Sequence, residues 1–182
     1  MQSIMADIQR AMANYVSNMQ NDVSGTPING QSLEPYAKLR IGTNTFDNAG
    51  CGPIAVYNAL VVSGVDVSIS DVTFKLDASA TLFNGALGTN PFSFGRLIEC
   101  YGVEAAPIFS KEAMCSALEK EEVFIITYKV KGRIAIHNVA VCRTGSSYEV
   151  FNRSNQSFSS AEATSLDDIM NYGTFLMGYA LN

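Results

Sequence analysis

Charge is scarce in this chain, and basic charge scarcest. Asp, Glu, Lys and Arg make up 16% of the 182 residues, against about 25% in an average globular protein. Twelve Lys and Arg face 17 Asp and Glu, a formal net charge of −5. Duplex binders work by neutralising phosphates with Lys and Arg, so this balance argues against a nucleic-acid partner. It disfavours an anionic membrane surface for the same reason. Long apolar runs are also missing. The longest reach only about five residues, around 123–126 and 139–142, where a spanning helix needs about 20. The first residues, Met1-Gln2-Ser3-Ile4, lead to Asp7 and Arg10 with no apolar stretch between. No secretory signal is therefore expected, and the cytoplasm is the expected location.

Cysteine and histidine are sparse too. Four cysteines stand at 51, 100, 115 and 142, none in C-x-x-C spacing, which leaves no disulfide scaffold and no redox dithiol. His137 is the only histidine, so a zinc site would have to be assembled from scattered cysteines or carboxylates, and no metal is expected. What the chain does have is apolar bulk. Hydrophobic residues reach 47%, which excludes a disordered chain, and the length suits one core.

Residues 1 to about 20 read as a helix, with Ile4, Ile8, Met12, Tyr15, Val16 and Met19 at helical spacing. This stripe predicts an arm packed on the core or on another subunit, or a segment covering a site. A linker with Gly25, Pro27, Gly30 and Pro35 follows. The division is thus 1–38, helix and linker, and 39–182, the functional domain. Pro53 and Gly64 bracket a helix over 53–63. Further helices are expected from Pro91 to before Gly102, and after Ser110 as N-cap. The segment 78–90, rich in Ala, Gly, Asn and Thr, reads as a loop and as a wall of a substrate cleft. From 122 the period changes. Segments 123–128, 134–143 and 148–152 are β-branched and aromatic, broken at Gly132 and Gly145-Ser146. A last strand spans 174–180, after a short helix capped at Ser165 with Asp168 three residues on. Helices followed by consecutive strands indicate α+β.

The chemistry concentrates at Asp47-Asn48-Ala49-Gly50-Cys51-Gly52-Pro53-Ile54-Ala55. A thiol just ahead of a helix start meets unpaired N–H groups and the positive end of the helix dipole, which favour thiolate. The same residues formally match G-x-G-x-x-A, but 41–48 is not the buried strand a dinucleotide site requires, so no cofactor is expected. A cysteine nucleophile needs a base, and His137 is the one imidazole. It interrupts a strand apolar on both faces, so it is either a satisfied core histidine or a functional one, and in both cases must be hydrogen-bonded. Hairpin geometry offers a partner. A two-residue turn at Thr144-Gly145 sets Asn152 opposite His137, and one at Gly145-Ser146 makes them diagonal neighbours. Either register puts the Asn152 side chain where it could orient the imidazole.

Cys51-Gly52-Pro53 leading into Ala55 and Ala59-Leu60, His137 followed by Val139-Ala140-Val141, and the short step to Asn152 resemble a papain-like cysteine peptidase. The closer likeness is to the branch that processes bacteriocin leader peptides and to its stand-alone relatives. The resemblance covers roughly residues 40–180 and implies a papain-like α+β fold, with the nucleophile at the N-terminus of a central helix packed on an antiparallel sheet. It implies that Cys51 attacks a peptide carbonyl, His137 exchanges the proton and Asn152 holds His137, with a peptide or protein as substrate. It also implies a glutamine about six positions before the nucleophile, completing the oxyanion hole. Thr45 stands there instead, so Asn44 is the candidate donor and Asn48 a second. The nearest upstream glutamine is Gln31. The alternatives are cell-wall amidase or transglutaminase-like chemistry, and a catalytically weak or inactive module on the same scaffold that binds a peptide or partner protein. Oligomeric state is open.

Overall fold

The computed structural model describes residues 2–86 and 88–182. Met1, heading the first expected helix, and Leu87, within the expected 78–90 loop, lie outside the described residues, as does the side chain of Ile4. In chain order come helix α1 (Gln2–Asn18), a two-stranded ribbon of β1 (Arg40–Ile41) and β2 (Asn44–Thr45), the short helix α2 (Phe46–Ala49), and helices α3 (Cys51–Val62), α4 (Ile69–Ser79) and α5 (Phe94–Glu99). Then follow β3 (Ala105–Ile108), α6 (Lys111–Leu118), β4 (Val123–Lys129), β5 (Ile136–Thr144), β6 (Ser147–Phe151), β7 (Ala161–Ala163), α7 (Leu166–Ile169) and β8 (Thr174–Leu181).

Six strands form one antiparallel sheet in the order β3-β8-β4-β5-β6-β7. β4 is buried from Val123 to Tyr128, because helices cover both faces of the sheet. On one face Ile125, Ala140 and Tyr179 join the core around Ile54, Ala55 and Leu60 of α3. On the other, Phe124, Ile126, Val139 and Val141 pack with Met114 of α6 and Leu166 and Ile169 of α7. Every residue of α3 from Gly52 to Leu60 is buried, as a helix without a polar face must be. Among the described residues no helix is long and apolar enough to cross a membrane.

Local chemistry sets the element ends. Ser110 and Ser165 accept from Ala113 N and Asp168 N at 3.1 and 3.2 Å, each cap stabilising its helix by about 1 kcal/mol. The helix expected from Pro91 begins as a 3-10 turn, Pro91–Ser93, before α5. α4 and β3 were not expected. For α4 the signals are present: a Ser68 cap on Asp71 N, and buried Ile69, Val72 and Leu76.

α1 packs on the core through its polar face, with its apolar stripe outward. Met5, Ile8, Met12, Val16 and Met19 are exposed, and the polar face turns inward. Asn14 Nδ2 donates to Asp77 Oδ2 at 2.7 Å and to Gly42 O at 2.8 Å, Arg10 pairs with Asp77 at 3.3 Å, and Asn18 bonds Arg40 N and O. Asp77 is 1% exposed. A carboxylate so buried must be paired, and that requirement outweighs the apolar stripe in deciding which face docks. The segment after α1 is equally tied in. Ile28 is fully buried, and its N–H and C=O are both bonded by Asn58 of α3, at 2.7 and 2.8 Å.

The β5–β6 register pairs Ala140 with Phe151 and Thr144 with Ser147. The turn is therefore Gly145-Ser146, with Gly145 at φ 65°. This is the diagonal arrangement of His137 and Asn152.

Candidate active site

Cys51 is the first residue of α3, joined to α2 through Gly50. Pro53 has no N–H, and among the described residues no backbone acceptor takes the N–H of Cys51 or Gly52. The thiol therefore sits at the positive end of a helix with free donors around it. Gly52 has no room for a side chain, since a Cβ there would collide with the Thr89 hydroxyl.

The thiol accepts from Asn138 Nδ2 at 3.3 Å, and Cys51 and His137 line one cavity. Burial alone would push the thiol pKa up. The hydrogen bond to His137, its charge and the Asn138 amide outweigh burial and hold the pKa below the ordinary thiol value. Burial likewise disfavours a charged imidazole, but the Cys51 sulfur and the Asn152 carbonyl outweigh it and raise the His137 pKa. The pair is set toward thiolate and imidazolium. Asn138 is itself fixed, because its Oδ1 accepts from Thr127 Oγ1 at 2.8 Å, which points the amide nitrogen at sulfur.

His137 Nε2 lies 2.7 Å from the main-chain carbonyl of Asn152. A carbonyl only accepts, so Nε2 carries the hydrogen and Nδ1 is the nitrogen left for the thiol proton. The sequence reading expected the Asn152 side chain in this role, and the structure puts the carbonyl there instead. The cause is a left-handed backbone, φ 57°, which turns the chain out of β6. The side chain goes to Gln31, Nδ2 donating to Oε1 at 3.0 Å and Oδ1 accepting from Gln31 N at 3.2 Å. Gln31, 2% exposed, passes the connection on, its Nε2 donating to Phe46 O at 3.0 Å and Asp47 O at 3.4 Å. The residue whose carbonyl holds His137 is thus braced against the helix that leads into Cys51.

A cavity of about 590 Å³ opens beside this pair. Cys51, His137, Gln31 and Asn48 line it, with the β4–β5 turn and residues 153–156 as walls. Among the described residues the segment 78–90 supplies none of its lining; it reaches the head of α3 through Thr89 against Gly52. Asn44 is outside the lining, and its Nδ2 donates to Gly85 O at 3.0 Å. The structure thus brings Cys51, His137 and Asn152 together and directs the Asn44 amide elsewhere. Of the other thiols, Cys100 and Cys115 are exposed, and burial with Glu149 and Glu122 raises the pKa of Cys142. Among the described residues no group of three His, Cys, Asp or Glu could hold a metal ion.

Sequence reasoning missed Asn138 and Gln31 as members of this site. Asn138 had a signal, being a second polar residue beside His137 in a strand apolar on both faces. Gln31 had none locally.

The same arrangement of sheet and central helix occurs in solved peptidase domains. That of Streptococcus ComA, a bi-functional ABC transporter involved in quorum sensing, superposes with a TM-score of 0.54 over 78% of this chain and 95% of its own, at 15% identity. A double glycine motif protease from an AMS/PCAT transporter, in complex with the leader peptide, superposes with a TM-score of 0.50 over 72% of this chain and 82% of its own, at 14% identity. The chain shares the fold of these peptidase domains. No protein-family model and no curated protein matches the sequence, so it is the architecture alone that is shared.

Proposed function

We propose that the protein is a cysteine peptidase, with Cys51 as nucleophile, His137 as acid and base, and Asn152 holding the imidazole through its carbonyl. The observation that carries this reading is a helix-start thiol and an imidazole lining one cavity, with Nε2 of the ring tied to a carbonyl. The fold adds support, and because the AMS/PCAT neighbour was determined with a leader peptide, a peptide is the substrate class proposed.

The Cys51 thiolate attacks the peptide carbonyl carbon, and the oxygen takes up the negative charge. The Cys51 N–H supplies one donor to that oxyanion and the Asn48 amide, which lines the cavity, a second. Asn44 would reach it only by leaving Gly85 O. His137 Nδ1–H then protonates the leaving amine, and a thioester remains. Water attacks the thioester, giving its proton to Nδ1. The intermediate collapses with the thiolate as leaving group, the acid product departs, and the thiolate–imidazolium pair is restored.

The competing reading is a module that binds a peptide without cleaving it. It is favoured by the amides of Gln31 and Asn44, each already engaged with main-chain carbonyls. The two readings separate when the purified chain is incubated with a peptide mixture and the products are followed by mass spectrometry. Cleavage lost in both Cys51→Ala and His137→Ala supports the peptidase. Full turnover by Cys51→Ala overturns it, and saturable binding with no cleavage establishes the second reading.

A further inference from the structure

The cavity reverses the sign of the molecule around it. The chain carries a net charge of −5, yet the cavity lining holds Lys131, Arg133 and Arg153 and no carboxylate. Arg153 is partly neutralised, donating to Asp168 O at 3.1 Å and Oδ1 at 3.3 Å. Lys131 and Arg133 have no ion-pair partner among the described residues. Lys131 sits 5.6 Å from the centre of the Tyr172 ring. Both cations stand on the β4–β5 turn, where Ile134 is fully exposed and Ile136 at the start of β5 is 56% exposed. Ser154, Asn155 and Gln156, which also line it, are polar and uncharged.

Unpaired cations bordering a concave surface focus their field into it and raise the local concentration of anions. Ile136, half-exposed and part of the same lining, offers an apolar contact without competing for charge. We propose that this cleft selects an acidic peptide segment, whose Asp or Glu side chains meet Lys131 and Arg133 while an apolar neighbour rests on Ile136. This substrate class rests on the peptidase reading, because it assumes that the occupant of the cleft is a peptide.

The test does not require cleavage. Iodoacetamide labelling of Cys51 is followed in the full chain with a short Glu-rich peptide, its Lys-rich counterpart or an uncharged Ser-rich control. The Glu-rich peptide is expected to protect Cys51 at a concentration about tenfold below that needed for the Lys-rich one, in keeping with electrostatic focusing at a cleft. The advantage is expected to shrink as salt shortens the screening length below about 10 Å. Lys131→Glu combined with Arg133→Glu, both on an exposed turn, is expected to reverse the preference while the melting temperature stays unchanged. Equal protection by all three peptides, or a preference that survives both charge reversals, overturns the proposal. If the double variant does not fold, the salt dependence of the wild-type preference decides. Failure to cleave any peptide would sink the peptidase reading and leave this measurement standing, so the two failures are distinguishable.

Discussion

His137 is held from behind by the main chain of Asn152, at 2.7 Å from Nε2 to the carbonyl oxygen, while the Asn152 side chain faces Gln31. The role of Asn152 is therefore divided. Its backbone fixes the tautomer of the imidazole and its side chain fixes the backbone.

This division predicts an unusual ranking of substitutions at Asn152. Glycine keeps the carbonyl and tolerates φ 57°, so Asn152→Gly should lose only the side-chain bonds to Gln31, about 1 kcal/mol each. Asn152→Ala adds the left-handed penalty of about 1–2 kcal/mol, and Asn152→Val should be worst because it is β-branched. Urea midpoints and the rate of peptide cleavage should follow the order Gly, Ala, Val. An alanine variant as stable and active as the glycine variant would show that the backbone conformation is not what matters.

Gln31 offers a sharper contrast. Its Nε2 serves two carbonyls, and an ionised glutamate there has no hydrogen to give. Gln31→Glu should cost about 3 kcal/mol or more, as an uncompensated buried charge does, whereas Gln31→Met should cost about 1–3 kcal/mol for unsatisfied partners. A carboxyl facing carbonyls in a buried site has a raised pKa, and once protonated it can donate to Phe46 O. The excess penalty of the glutamate should thus disappear as pH falls. Denaturant titrations at neutral and acidic pH measure it.

The opposed shifts of Cys51 and His137 set the pH dependence. A lowered thiol pKa keeps the thiolate present to lower pH, and a raised imidazole pKa keeps the general acid protonated to higher pH. Hydrolysis should fall on the acid side as the thiolate is protonated and on the alkaline side as the imidazolium is lost, giving a bell. Alkylation needs only the thiolate and should lack the alkaline fall. In His137→Ala the alkylation profile should move up toward the ordinary thiol value of about 8.5, because burial is then opposed only by Asn138. Identical profiles for wild type and His137→Ala would separate the two groups functionally.

The two candidate oxyanion donors separate by their readouts. Asn48→Ala should lower kcat by about 10²-fold with little change in KM, as loss of one donor to a transition-state oxyanion does. Asn44→Ala should instead lower stability, by leaving Gly85 O without its partner, and should leave kcat near wild type. The reverse pattern would mean that Asn44 changes partner when substrate binds.

The parts of the fold legible in advance were those whose cause is local. The Ser110 and Ser165 caps, the Gly145-Ser146 turn and the β-branched runs that became β4, β5, β6 and β8 each act within a few residues. The position of Cys51 at a helix start was equally local, since Gly50, Gly52 and Pro53 define it. Which face of α1 meets the core was not legible, because the buried Asp77 that turns the polar face inward lies far along the chain.

By itself, the sequence determined which chemistry was possible here: one imidazole, one thiol at a helix start, no second histidine for a metal, and a hairpin short enough to bring residue 152 back beside residue 137. Only the tertiary structure decided that the Asn152 carbonyl, and not its amide, would hold that imidazole, that Gln31 would brace it from a linker, and that cations would gather at the cleft of an acidic protein. Hydrogen-bond partners and surface fields are set by groups distant in sequence and close in space, and no local pattern records them.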